Sequence, residues 1–143
     1  MRPTARNQHT QSGAVAARIV VAACAVSAGA HAGLVPDHVR EAPEVGVALV
    51  VAVALLLAAA IALAIRPDSL GAARGAALLL AGLIACYAAS RTTGLPLLEP
   101  HVEPLDAVGV TTKLVEAVGL VFAFWLSGPV GGRRSPLTQE VAR

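Results

Sequence analysis

The stretch that decides the fold is Val45 to Ile65, VGVALVVAVALLLAAAIALAI, which contains no polar side chain. A helix needs about 20 consecutive apolar residues to cross the roughly 30 Å hydrocarbon core of a bilayer. Three more apolar stretches of similar length surround it. The four predicted spans are Gly13 to Val35, Pro43 to Ile65, Leu70 to Ser90 and Leu105 to Ser127. The sequence therefore predicts an all-α bundle of four transmembrane helices.

Composition supports this class of protein. Hydrophobic residues make up 56% of the chain and charged residues only 14%, whereas about a quarter of the residues in a soluble domain are charged. We expect one transmembrane domain over residues 13–127, with disordered cytoplasmic segments at 1–12 and 128–143, the second of them basic. The net charge of +2 is too small to suggest nucleic-acid binding, so the lipid bilayer is the expected partner.

The distribution of arginine predicts the topology. If the N-terminus is cytoplasmic, the inner segments and helix ends hold Arg2, Arg6, Arg18, Arg66, Arg74, Arg133, Arg134 and Arg143, and the outer loops hold only Arg40 and Arg91. Positive charge favours the cytoplasmic side. We therefore expect antiparallel up-down helices with both termini in the cytoplasm, in a bacterial inner membrane.

The first apolar stretch also resembles a secretory signal, because basic residues precede it and Ala28-Gly-Ala-His-Ala32 resembles a cleavage site. Cleavage there would leave three spans. We favour the uncleaved helix because its apolar run is long for a signal.

The fourth stretch contains the most unusual residues of the chain. Asp106, Lys113 and Glu116 lie seven and three residues apart, so they share one stripe of a helix. Glu116 lies near the middle of the bilayer, where an unpaired carboxylate is costly, and Lys113 is its expected partner. Three roles remain open: an ion pair that locks the bundle, a carboxyl group that carries protons or lines a substrate path, and a contact with a partner subunit.

Arg91 lies at the outer end of the third stretch, against the positive-inside trend. We expect it to pair with Asp106 or Glu103 across the following loop and so clamp the third helix to the fourth. Binding of an anionic ligand is the alternative.

The outer side also collects His31, His38, Glu41 and Glu44, with His101 and Glu103 further along. Imidazole and carboxylate together suit zinc or copper(II), so His31, His38 and Glu41 are candidate metal ligands. A solvated loop with ordinary histidines is the alternative, and otherwise no cofactor is expected.

Glycine, cysteine and aromatic residues suggest how the helices pack and where they meet the membrane surface. Gly29 and Gly33, and likewise Gly71 and Gly75, have the G-x-x-x-G spacing that allows two helices to approach closely. Cys24 and Cys86 lie at different depths, so we expect two buried, unpaired thiols. Tyr87 and Trp125 are expected to anchor the helices at the two membrane interfaces.

Three segments carry a resemblance to known proteins: His31-Ala-Gly-Leu-Val-Pro-Asp-His38, then Ser90-Arg-Thr-Thr-Gly-Leu-Pro96, then Glu103-Pro-Leu-Asp106 leading to Glu116. Over residues 30 to 120 the chain resembles an uncharacterised family of small four-helix membrane proteins of actinobacterial type. The resemblance implies the same architecture, and it implies that His31, His38, Arg91, Asp106 and Glu116 belong to the family pattern. It implies no activity.

The expected function is non-catalytic. We find no phosphate-binding loop, nucleophile triad or thiol pair in the sequence, so we predict an accessory or interaction subunit of a membrane assembly, or a homo-oligomer. The alternatives are a small proton-coupled transporter that uses Glu116 and an outward-facing metal-binding membrane protein.

Overall fold

The computed structural model describes residues 5–94, 102 and 104–128, with side chains from residue 11 onward. Within these ranges the chain forms four α-helices and no strand: α1 (Ala5–Glu41), α2 (Pro43–Ile65), α3 (Leu70–Thr92) and α4 (Ala107–Ser127). All four are long and apolar enough to cross a membrane. The predicted all-α four-helix architecture is confirmed.

The four helices alternate in direction. α1 and α3 end, and α2 and α4 begin, at one end of the bundle, which we call the Asp106 end; the opposite end is the Ser127 end. α1 packs extensively against α2 and α4, and α3 packs mainly against α4. α1 and α3 lie diagonally across the bundle and touch little. The chain is thus an antiparallel up-down bundle.

α1 is longer than its apolar stretch. It begins at Ala5 rather than Gly13, so residues 5–12 are helical where we expected a disordered segment; they contain neither glycine nor proline to stop a helix. At the other end α1 passes through Pro36 and continues to Glu41. Proline removes one backbone N–H, but the turn that follows is held by the N–H of Ala42, which donates to the His38 carbonyl over 2.8 Å.

A single non-helical residue, Ala42, joins α1 to α2. Pro43 then occupies the first position of α2, where its fixed φ suits a helix start. Such a sharp corner brings Gly46 of α2 against Val39 of α1. A Cβ at position 46 would lie 2.6 Å from Val39 Cγ2 and 2.9 Å from Val39 Cα. Only glycine fits this corner without displacing backbone.

Side chains cap the first turns of α3 and α4. Ser69 accepts a hydrogen bond from the Ala72 N–H at the start of α3, and Asp106 does the same for Gly109 at the start of α4. Capping oxygens satisfy N–H groups that have no partner within the helix. α4 therefore begins at Ala107, two residues later than predicted, with Asp106 as its cap, and α3 runs two residues past Ser90.

The core consists mainly of small residues, with Leu56, Leu63, Leu80 and Leu126 as the largest apolar members. Large apolar side chains lie instead on the outside of the bundle. On α2 the exposed ones are Val47, Val50, Val51, Leu55, Leu57, Ile61 and Ile65. An outer surface of this kind suits contact with lipid.

The predicted close contacts at Gly29, Gly33, Gly71 and Gly75 are wrong for packing within the chain. A Cβ at any of these positions would meet no atom within 4 Å. All four glycines lie on exposed faces of α1 and α3, because the helices approach each other through different residues.

Candidate functional site

Glu116 lies at the centre of the candidate site. It is ten residues after Asp106, which is about 15 Å along the helix axis, or about half the thickness of a bilayer's hydrocarbon core. The buried residues of α4 recur every three or four positions: Thr112, Glu116, Gly119, Ala123 and Leu126. Glu116 therefore points into the bundle, where its side chain is 0% exposed.

Two donors from two helices reach the Glu116 carboxylate. Lys113, one turn earlier on α4, places Nζ 2.7 Å from Oε2. Ser27 of α1 donates its hydroxyl to Oε1 over 2.6 Å. Each carboxylate oxygen thus has a donor, as a buried charge requires. The structure forms the Lys113 pair that helical spacing predicted, and adds Ser27.

The contact between α1 and α4 explains why Ser27 reaches Glu116. One turn before Ser27 and one turn after Glu116, Ala23 faces Gly119 across the interface. A Cβ at Gly119 would lie 2.6 Å from Ala23 Cβ and 3.1 Å from Leu80 Cδ1. Because Gly119 has no side chain, the backbones of α1 and α4 can approach each other. The Ser27 hydroxyl is then close enough to reach Glu116.

His31 lies one turn after Ser27 on α1 and adds a second polar side chain there. Its Nδ1 lies 2.8 Å from the Ser27 carbonyl oxygen and 3.3 Å from Ser27 Oγ. Since a carbonyl only accepts, the short contact requires the proton on Nδ1. His31 is buried, so it supports Ser27 from one turn away while Ser27 donates to Glu116.

A second cluster joins α3 to α4 at the Asp106 end. Arg91 Nη2 lies 2.8 Å from Asp106 Oδ2, and Nη1 donates to the Pro104 carbonyl. Asp106 also caps α4. The structure thus forms the Arg91–Asp106 clamp that the sequence predicted, whereas Glu103, its other predicted partner, lies outside the described residues. Asp106 is half exposed at the start of α4, whereas Glu116 is fully buried.

Tyr87 lies between the two ion pairs. The Arg91 guanidinium carbon is 4.8 Å, and Lys113 Nζ is 5.5 Å, from the centroid of its ring. Cations at these distances are attracted by the face of an aromatic ring. The ring packs so closely on Gly109 that a Cβ there would lie 2.7 Å from it. Tyr87 is therefore a link between α3 and α4 as well as a residue near a helix end, and its hydroxyl is buried with no partner among the described residues.

These polar side chains all lie on one side of Glu116. Lys113, Tyr87 and Arg91 lead from Glu116 toward the Asp106 end along α3 and α4, and His31 does so along α1. On the other side of Glu116 the described buried residues are apolar, except for the thiol of Cys24; they are Ala16, Ala17, Val20, Ala23, Ala60, Leu63, Ala73, Ala76, Ala77, Ala123 and Leu126. The described interior thus has a polar half and an apolar half, and Glu116 lies at the boundary.

The candidate metal ligands are not brought together. His31 and His38 are seven residues apart on α1, which is about 10.5 Å along the axis. Each places Nδ1 within 2.9 Å of the carbonyl four residues before it. Across the described part of the chain, no group of three His, Cys, Asp or Glu side chains is arranged to hold a metal ion. His101 lies outside that part, and zinc or copper binding stays a prediction.

Two residues of the site were missed by sequence reasoning. Ser27 is a hydroxyl residue deep in an apolar stretch, which is a weak signal because such groups also bond to their own helix. Tyr87 was predicted only as an anchor at the membrane interface.

The prediction of two buried thiols is half wrong. Cys24 is buried and Cys86 is exposed, and both are free.

No family model, curated protein or solved structure matches this chain.

Proposed function

We propose that this chain is a small, non-catalytic integral membrane protein that associates with another membrane component, either a larger assembly or a second copy of itself. The observation that carries the proposal is the position of Gly29 and Gly33 on α1 and of Gly71 and Gly75 on α3. Their spacing suits close helix contact, yet all four are exposed, and no described residue of another helix lies within 4 Å of a Cβ built on them. These faces are suited to a helix from outside the chain.

The buried polar groups support a non-catalytic role. Both oxygens of Glu116 accept from Ser27 and Lys113, and Arg91 is held by Asp106 and Pro104. Each pair joins two parts of the bundle or two turns of one helix. Their geometry is that of cross-links that hold α1, α3 and α4 together.

We further propose a bacterial inner-membrane location with both termini in the cytoplasm. Arg6, Arg18, Arg66 and Arg74 lie on segments near the Ser127 end, whereas only Arg40 and Arg91 of the described arginines lie near the Asp106 end. This asymmetry favours the Ser127 end as the cytoplasmic side.

Purification from native membranes at endogenous expression tests the association. We expect the chain to copurify with a partner or as an oligomer, and we expect Gly33→Leu or Gly75→Leu to reduce that yield because the added side chain blocks close approach. In the described part of the chain, no atom of another helix lies within 4 Å of either new Cβ, so the bundle should stay folded. Ala58→Leu on the exposed face of α2 is the matched control. A monomer without partners at native levels would contradict the proposal.

A proton-coupled transporter that uses Glu116 is the second candidate. It is favoured by the one-sided arrangement of polar residues, which connects Glu116 with the Asp106 end. In proteoliposomes that contain a pH-sensitive dye, this function predicts proton flux in the wild type and its loss in Glu116→Gln. Flux equal to that of empty vesicles would exclude it.

The metal-binding alternative has its own measurement. One zinc or copper ion per chain, lost when His31 and His38 are both changed to Ala, would establish it. A melting temperature that does not change when zinc or copper is added would contradict metal binding. The two histidines would then have only their hydrogen bonds within α1.

A further inference from the structure

A groove lies between α1 and α4 at the Ser127 end, on the apolar side of Glu116. Its volume is about 660 Å³, within the range of about 300–1,000 Å³ typical of small-molecule sites. The groove is lined by Val15, Ala16, Val121, Phe122 and Trp125, with the polar residues Gln11 and Ser12 at its N-terminal end on α1. The groove is open along one side, so a molecule in the surrounding bilayer has direct access to it.

The groove changes from polar to apolar with depth. Gln11 and Trp125 mark its end near the membrane surface, and Val121 lies about one turn deeper than Trp125. Tryptophan is enriched at the level of lipid headgroups. A ligand that fits this gradient has a polar head at the Ser127 end and a hydrocarbon chain that runs toward the bilayer centre.

Positive charge surrounds this end of the bundle. Arg18 follows Val15 by three residues on α1, and Arg74 lies in the first turns of α3; both are exposed, as is Arg66 beyond the end of α2. None of the three forms an ion pair within the described residues, unlike Arg91 at the Asp106 end. The only described acidic residue nearby is Asp68, in the α2–α3 turn.

The direction of α1 brings the Arg18 side chain toward the headgroup level. Helical side chains lean toward the N-terminus of their helix, and α1 begins at the Ser127 end. Arg18 is seven residues after Gln11, so the two share one face of α1. A long arginine that leans back along this face approaches the rim of the groove while its charge stays near water.

We propose that this groove binds one anionic phospholipid, with an acyl chain between α1 and α4 and the phosphate near Arg18. The apolar walls fit the acyl chain, and arginines that have no acidic partner among the described residues fit a lipid that carries net negative charge better than a zwitterionic one. Arg66 and Arg74 do not line the groove, but they add to the positive electrostatic potential at this end of the bundle. The proposal is independent of the function proposed above.

Native mass spectrometry of the full chain in detergent tests this site with phosphatidylglycerol and phosphatidylcholine of identical acyl chains. We expect one phosphatidylglycerol to be retained per chain and phosphatidylcholine to compete poorly. Arg18→Gln should weaken phosphatidylglycerol binding about fivefold. Arg40→Gln is the matched control, because it removes the same charge from an exposed position at the other end of α1.

Filling the groove provides the second test. Val121→Trp places a large side chain in it and should abolish the retained lipid, whereas Val118→Trp, one turn away on the exposed surface of α4, should not. Both valines are more than half exposed, so both variants should fold. Equal retention of the two lipids, an equal loss in Arg40→Gln, or full retention in Val121→Trp would overturn the proposal. Displacement of the bound lipid by glycerol phosphate alone would also overturn it, because the site would then recognise a free phosphate.

Discussion

The Ser27 hydroxyl of α1 donates to the Glu116 carboxylate of α4 over 2.6 Å, although 89 residues separate the two in the chain. The contact joins the first and last helices in the interior, at the depth where a carboxylate most needs a partner. Lys113 neutralises the charge from the same helix, but only Ser27 ties that charge to another helix. This relationship makes the position of α1 against α4 dependent on a polar group.

Ser27→Ala should destabilise the bundle. A hydrogen bond to a charged group contributes about 1.5–3 kcal/mol, and the variant leaves one oxygen of Glu116 without its donor. Thermal unfolding in detergent measures the loss. Ser90→Ala is the control, because the Ser90 hydroxyl donates only to the Tyr87 carbonyl of its own helix. Equal melting temperatures for Ser27→Ala and the wild type would show that Glu116 does not depend on α1.

Lys113 and Glu116 should show strong coupling in a double-mutant cycle. Glu116→Gln leaves the Lys113 ammonium without its counter-charge, and breaking a buried pair from one side costs about 3–5 kcal/mol. Changing Lys113 to Leu and Glu116 to Met together should restore much of the loss, since apolar replacements of a buried pair are often neutral. Unfolding of the four proteins gives the coupling energy. Additive losses would exclude the ion pair as a stabilising unit.

Partner binding and proton flux of the same double variant distinguish the two proposed functions. A bundle that serves only to bind a partner should still bind it when Lys113 and Glu116 are both apolar. A proton-coupled transporter should fold equally well and lose proton flux, because no titratable group remains at the midplane.

Gly119→Ala should push α1 away from α4. The new Cβ would lie 2.6 Å from Ala23 Cβ, and overpacking of this kind costs about 1–3 kcal/mol. Adding Ala23→Gly removes the clashing atom and should recover part of the stability. Gly75→Ala, where no atom lies within 4 Å of the new Cβ, is the control and should melt at or above the wild-type temperature. A Gly119→Ala protein as stable as the wild type would mean that the two helices can separate without loss.

Asp106 should tolerate Asn better than Ala. The Asp106 side chain caps α4 and also accepts from Arg91; Asn keeps an oxygen for the cap, whereas Ala loses both roles. Loss of a cap alone costs about 1 kcal/mol. Unfolding of Asp106→Asn and Asp106→Ala measures the difference, with Asp68→Ala in the exposed α2–α3 turn as the control. Equal losses in Asn and Ala would place the whole effect in the Arg91 contact.

The proposed topology predicts which loops water-soluble thiol reagents reach from outside the cell. In a Cys86→Ala background, cysteine at His38 and at Pro104 should be labelled, and cysteine at Asp68 only after the membrane is permeabilised. Labelling of Asp68 in intact cells and protection of His38 would reverse the orientation and place the lipid groove on the outer leaflet.

Much of this protein follows from local sequence pattern. The length of each apolar run determines four helices, and the spacing of Lys113 and Glu116 determines that they meet, because residues three apart on a helix are neighbours. The Arg91–Asp106 pair is also predictable, since the two residues flank one connection and lie 15 positions apart in the sequence. Helix ends are less well determined: α1 continues past Pro36 because one missing N–H does not stop a helix when the next turn is bonded.

Tertiary structure decided which faces of the helices meet. In this chain every helix is apolar on most sides, so hydrophobicity does not identify the inner face. The sequence shows G-x-x-x-G pairs at Gly29 and Gly71, yet the close contact between α1 and α4 forms at Gly119 and Ala23. That choice brings Ser27 to Glu116 and leaves Gly29, Gly33, Gly71 and Gly75 exposed. The sequence alone determined the depth of Glu116 and its partner on the same helix; its partner on α1 depended on how small side chains fit across an interface.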